Sequence, residues 1–442
     1  MKNKVLALLL VVMMVFMFSA CTSSAPPADT NGDTGEGASG DANVEQITLN
    51  LWHIYIDEND ENRIATEKAI ADYESAHSNV KIEQHILQDA DFKTKILTEF
   101  SGSAANIDVF SYWGAGRAGD LVNAGKLLCV EDYLSPDKVA AIKHGADNNY
   151  RYGGKLYGLP LASWMMVLYC NEEVFADNNV ALPSTYDEWL DACKKFVSAG
   201  IIPVALGGGV DDGWQAAFVF EALVNRIVGT AAESVVLDTM SGFADNPGFE
   251  ESAAKMLEMN KAGAFGKSPL EIDEMTSNVQ FLSGAAAMRL TGSWFTTSIY
   301  TDEDSVIAGK VKALPIPLVP GGKGNDTDYV GGFIDGYFVN AATKYPDVAT
   351  DFAYELSVAL ATHQHEIGEG FTAYEFPVDE SGLSPLGKEV STLANSMVDG
   401  FVAWDTFLPG DLADLHIDAC QNLLTSRADV KSFMEAYTEI FD

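Results

Sequence analysis

Seven tryptophans stand among 64 Asp and Glu residues in this chain. Several of them fall at strand or loop ends rather than inside regular elements. Trp113 follows a strand end, Trp214 follows a loop, and Trp164 and Trp294 each sit just past a Gly- or Pro-marked turn. Flat aromatic faces beside carboxylates suit a polyhydroxylated ligand. The rings cover C–H faces, and the carboxylates accept hydroxyl protons in charge-assisted bonds. Asp335 is the leading acceptor, beside Gly332 and Phe333, where Gly331-Gly332 lets backbone approach a ligand. His53, Asp57 and Asp212 are further candidates. Asp108 is either a ligand contact or a sheet residue, and Trp52 either a platform or an internal strand cap. Trp189 lies on a helix face with Cys193 and reads as core.

The same residues argue against catalysis. Asp211-Asp212 and Glu172-Glu173 are adjacent pairs, and neighbours in one segment rarely face each other across a scissile bond. No G-x-S-x-G or H-E-x-x-H occurs, and the histidines are not clustered. Catalytic residues, metal and cofactor are therefore all expected to be absent.

A chain of 442 residues exceeds the size at which one core keeps growing, so two domains are the default. The net charge of −37 argues against nucleic acid and against docking on anionic lipid. It suits a neutral or cationic ligand, or simply a well-hydrated surface. Lys2 and Lys4 precede an apolar run from Val5 to Phe18, of signal-peptide length. Phe18-Ser19-Ala20-Cys21 resembles a bacterial lipobox, which would leave Cys21 acylated. The small, polar stretch 22–44 then reads as a tether. Asp29, Asn31 and Asp33 open like a calcium loop, but Thr34 and Gly40 occupy positions that need glycine and glutamate. Cys129, Cys170, Cys193 and Cys420 are widely spaced. Free thiols are expected, with a Cys170–Cys193 bridge as the alternative.

These side chains need elements to position them. Ile47, Leu49 and Leu51 alternate as a first strand. A helix over 61–76, a strand over 80–86, a helix over 91–101 and a strand over 107–110 follow. That alternation predicts an α/β lobe with a parallel sheet, its ligand beyond the strand ends. Leu159-Pro160 is a stiff crossing, and the apolar run Trp164–Tyr169 suits a strand buried on both faces. Thr185 and Glu188 have capping-box spacing ahead of a helix. Gly284–Leu290 is a turn and a buried strand. Pro315 and Pro317 mark a second extended strap like that at Pro160.

Gly154–Pro160, Tyr169–Asn171, the Pro-x-Thr-x-Asp-Glu-Trp of 183–189, Gly284–Met288, Gly292–Trp294 and Val330–Gly332 occur in order from about Trp52 to Trp404. This set resembles the extracellular solute-binding proteins of sugar ABC transporters, the maltose-binding-protein-like group. The resemblance implies a two-lobe α/β fold of the periplasmic-binding-protein type II, each lobe a mainly parallel sheet flanked by helices, with the ligand in the cleft. It implies a signal peptide at 1–20 and a tether at 21–44. A first lobe would be built from 45–160 and 313–340, and a second from 161–312 and 341–442. Trp164 and Trp294 match cleft positions of that family, and Trp404 lies where the family often contributes an aromatic. Where the maltose-binding pattern has a glutamate this chain has Trp164, which points away from maltose and leaves an oligosaccharide. The partners implied are a sugar, a membrane permease with its separate ATPase, and a lipid anchor through Cys21 on the outer face of the cell membrane, for a monomer. A polyamine- or peptide-binding protein and a surface glycan hydrolase are the alternatives.

Overall fold

In the computed structural model, Ile47, Leu49 and Leu51 form the strand Ile47–His53, which is flanked on both sides by parallel neighbours, Val80–Ile86 and Val109–Trp113. The structure describes residues 45–209, 212–232, 234, 243, 246–303 and 305–441. The expected signal peptide, tether and Cys21 lie outside that range, as does Asp211. Helices Glu61–Ala76 and Asp89–Ser101 connect these strands. Asp60 caps the first of them by accepting from the backbone of Asn62 and Arg63.

Two strands from later in the chain complete this sheet, Asp335–Val339 and Gly158–Pro160, and each runs antiparallel to its neighbour. The expected parallel pairing thus holds where helices join consecutive strands. Gly158–Pro160, reached through loops, and Asp335–Val339, which returns from the other lobe, carry no such constraint, and the sheet is mixed.

The second sheet is built around Trp164–Asn171, buried along its whole length. Ala286–Gly292, Val311–Leu314 and Asp328–Gly332 all pair with it antiparallel. Ile202–Ala205 and Asp399–Phe401 extend the edges in parallel, so this sheet is also mixed. Helix Tyr186–Ala199 opens on the expected box, with Thr185 and Glu188 capping each other reciprocally. Helices Trp214–Ile227, Pro247–Lys261 and Gly410–Leu424 pack together on this lobe.

The chain first crosses between lobes at Leu161–Ser163, directly after Pro160. The second crossing is not at Pro315–Pro317. Val311–Leu314 is still registered on Trp164–Asn171, with Leu314 opposite Leu168, and Leu318 bridges to Thr185. The chain passes over at Phe333-Ile334, between Gly332 in one sheet and Asp335 in the other. The segment 341–442 also divides. Helix Pro346–Glu366 packs on Glu61–Ala76 and on Asp335–Val339 of the first lobe, so only the later part belongs to the second.

The crossings are tied to one another. Ser163 N donates to Phe371 O at 2.8 Å, and Leu161 N donates to Asp335 O at 2.9 Å. Gly331 lies at φ +142°, and a Cβ there would fall 2.1 Å from the carbonyl oxygen of Trp164. Only glycine fits that approach.

Candidate functional site

A cavity of about 350 Å³ lies between the lobes and is lined by side chains from both. The second lobe supplies an aromatic wall. Trp164 heads the central strand and stacks on Phe218, with centroids 5.6 Å apart and planes at 22°. Trp294, in the turn after Gly292, meets Trp164 edge-on at 4.9 Å and Trp214 at 6.0 Å. Trp214 is the first residue of its helix and contacts Phe218 at 4.9 Å. The edge-to-face arrangement suits the ring quadrupoles and locks the wall in place. Across the cavity Trp113 ends the third strand of the first lobe, with Lys93 Nζ 4.6 Å from its ring centre.

Polar groups fringe this wall. Asp335 comes from the first-lobe strand next to Trp113, its partner in register. Burial pushes its carboxyl up to about 7; a hydrogen bond with Trp164 opposes the shift, and Asp405 and Asp89 add to it. Glu369, two residues before the Phe371 that holds Ser163, is pushed up to about 8 by burial, with Asp60 adding to the shift. Asn62 Nδ2 donates to Glu369 at 3.1 Å, and Gln364 Nε2 donates to Asn62 at 2.8 Å. Asp405 and Thr406 enter from the short helix Trp404–Phe407 of the second lobe. Arg117 of the first lobe reaches across the seam, and its Nε donates to the main-chain oxygen of Asp405 at 2.7 Å.

Of the residues singled out from sequence, Trp113, Trp164, Trp214, Trp294 and Asp335 are brought together here. Eight others stand apart. Trp404 is fully buried against Phe220, Phe401 and His416, with no face open to the cavity. Trp52 stacks on His85 and donates its indole N–H to Asn106 O, so it closes the sheet from inside. His53 is buried and bound to Gln84 at 3.0 Å, and burial holds its pKa down to about 4. Asp108 accepts from Asn50 N and from Thr343 Oγ1, tying strand to loop. Asp212 accepts from Glu274 N at 2.8 Å and thereby anchors a helix start. Asp57 is exposed and caps a turn through Asn59 N. Phe333 lines a separate cavity of about 230 Å³ with Tyr329 and Phe371, and Gly332 packs at the crossing against Val402.

Phe218, Glu369, Asn62, Asp405 and Thr406 were not anticipated. Glu369 lies in a loop after Gly368 with no local motif to mark it, and Asp405 directly follows an expected tryptophan. The four cysteines beyond Cys21 are free, so the Cys170–Cys193 bridge does not form. Among the described residues no cluster of His, Cys, Asp or Glu is arranged to hold a metal ion, and no helix is long and apolar enough to cross a membrane.

Two α/β lobes joined by short crossings over a cavity that both of them line define a two-lobe solute-binding protein. The chain belongs to the bacterial extracellular solute-binding protein family, whose model matches residues 57–356. It is 22% identical to the multiple sugar-binding protein of Streptococcus mutans over 75% of its own length and 77% of that protein's. An ABC transporter extracellular-binding protein of Pyrococcus horikoshii is 23% identical, the match spanning 56% of each chain, about half of that relative's length. Among solved structures, one reported for xylan utilization by Caldanaerobius polysaccharolyticus superposes with a TM-score of 0.83 at 29% identity, over 89% of this chain and 99% of that one. A chitin oligosaccharide binding protein shares the fold at 0.79 and 22% identity, over 90% and 98%.

Proposed function

We propose that this protein is the extracytoplasmic receptor of an ABC importer, capturing a short oligosaccharide in the interlobe cavity and delivering it to a membrane permease. The observation that carries this reading is the pairing of the Trp164–Trp214–Trp294 wall on one lobe with Trp113 and Asp335 on the other. Rings on both sides can cover pyranose faces, while Asp335, Glu369 and Gln364 take the hydroxyl edges. The names of the relatives, sugar binders among them, support the same class of ligand.

Capture follows from the topology. A ligand that touches only one lobe has no preference between open and closed forms. One that touches both favours closure by the free energy of the added contacts. The short crossings at Leu161–Ser163 and Phe333-Ile334 are where the backbone would turn. The role is binding without bond-breaking, and Cys21 would anchor the protein by a lipid at the outer face of the cell membrane. Tryptophan fluorescence titrations with xylo-, cello- and malto-oligosaccharides test the reading directly. A saturable change with one series supports it, and no response to any sugar overturns it.

A further inference from the structure

The charge of the ligand is written into the cavity more sharply than its linkage. Six lining residues carry carboxylates (Asp60, Asp89, Glu274, Asp335, Glu369 and Asp405) against one cation, Lys93. Lys93 is already committed, with Nζ 2.8 Å from Asp89 and over the ring of Trp113. Asp60 is engaged as a helix cap and Glu369 takes the amide of Asn62.

Glu274 faces Arg289 Nη2 at 4.0 Å, and Asp335 and Asp405, one from each lobe, remain without an ion pair among the described residues. Asp405 is 4% exposed, and its Oδ1 has no hydrogen-bond partner among the described residues. Its backbone is held by Arg117, which donates to the main-chain oxygen and pairs with Asp414 at 3.7 Å. The backbone that carries this carboxylate is therefore held at the cavity wall. An unpartnered buried carboxylate oxygen is costly, and the cost is relieved when a ligand supplies the donor.

We infer that the cavity takes an oligosaccharide bearing a protonated amine, seated between Asp335 and Asp405 against the faces of Trp113 and Trp164, and that it rejects uronates. The inference rests on the receptor reading and names the ligand class within it. A neutral hydroxyl would satisfy one oxygen but leave the repulsion that Asp405 exerts on an ionised Asp335 unrelieved. An ammonium satisfies both carboxylates and gains from the tryptophan faces. A uronate adds a further negative charge beside Asp405 in a lining that already holds five other carboxyl groups and one lysine. Burial is the main cause of the raised pKa of Asp335; Asp405 adds to it and Lys93 opposes it.

The test is calorimetric titration with disaccharides matched in linkage and differing in one group: the parent sugar, its 2-amino form and its uronate. The expected result is binding at least about ten-fold tighter for the amine than for the parent, no measurable uronate binding, and a ratio that shrinks in high salt. Asp335→Asn and Asp405→Asn should each collapse the ratio, with melting curves checked for folding. The wild-type ratio stands as a test even where a variant fails to fold. If the parent sugar binds as tightly as the amine or more so, the inference is wrong and the receptor reading stands. If no form of any sugar binds, both fall.

Discussion

The carbonyl oxygen of Trp164 lies so close to Gly331 that a Cβ at that glycine would be 2.1 Å away. The strand that carries the aromatic wall and the strand leading into the second crossing are thus pressed together at the place where the lobes separate. Gly331→Ala adds both this clash and a φ of +142° that alanine rarely adopts. We expect a loss of at least about 2 kcal/mol in chemical denaturation. Wild-type stability in that variant would show that the crossing is looser than described.

Trp294 and Trp404 should separate function from stability. Trp294 is partly exposed at the cavity, so Trp294→Ala is expected to weaken sugar binding about tenfold or more while costing less stability than Trp404→Ala. Trp404 is fully buried, and Trp404→Ala should cost about 3–5 kcal/mol of stability. The reverse pattern would mean that the wall has been assigned to the wrong tryptophans.

Arg117 acts on the ligand only through Asp405. Arg117→Ala leaves the main-chain oxygen of Asp405 without its 2.7 Å donor and loosens a residue of the cavity wall. We expect weaker ligand binding together with about 1–3 kcal/mol of lost stability. Arg117→Lys should not rescue binding, because a point charge cannot reproduce the guanidinium fork. Full rescue by lysine would indicate that charge alone matters there.

Stability should fall towards both ends of the pH range. Burial raises Glu369 to about 8 from its ordinary 4.5, so the folded state holds that proton more tightly. Its contribution is full below about pH 4.5 and is lost as pH rises to about 8. Burial holds His53 down to about 4 from 6.5, so its contribution is present above pH 6.5 and is lost as pH falls to about 4. Glu369→Gln in ligand-free protein should flatten the alkaline decline and leave the acid one. Denaturation curves at three pH values would reveal an unchanged alkaline decline if the carboxyl titrates normally.

Much of this is legible in the sequence. An apolar run right after Leu159-Pro160 marked both a crossing and a central strand, and so placed Trp164. Thr185 and Glu188 gave a helix start three residues apart. Other features had no local signal. Pro315 and Pro317 fix φ wherever they lie and could not say in which lobe. The pairing of Leu314 with Leu168, which keeps that strap in the second lobe, is a long-range fact. Phe218 sits in a helix buried on every side, where no polar face distinguishes the residue that meets the cavity. Trp404 and Asp405 are neighbours with opposite fates, one in the core and one at the cavity wall. A four-residue helix is too short for periodicity to assign its faces.

The central claim is that a sugar binds between the Trp164–Trp214–Trp294 wall and the first lobe. The most direct measurement is thermal unfolding of wild type and Trp294→Ala, with and without a panel of short oligosaccharides of differing charge. A ligand at a hundred times its dissociation constant should add about 2.7 kcal/mol to wild-type stability. The account predicts that at least one oligosaccharide raises the wild-type melting temperature and that Trp294→Ala, still folded, loses most of that rise. A sugar-induced rise that survives Trp294→Ala unchanged, or no rise with any sugar, would contradict it.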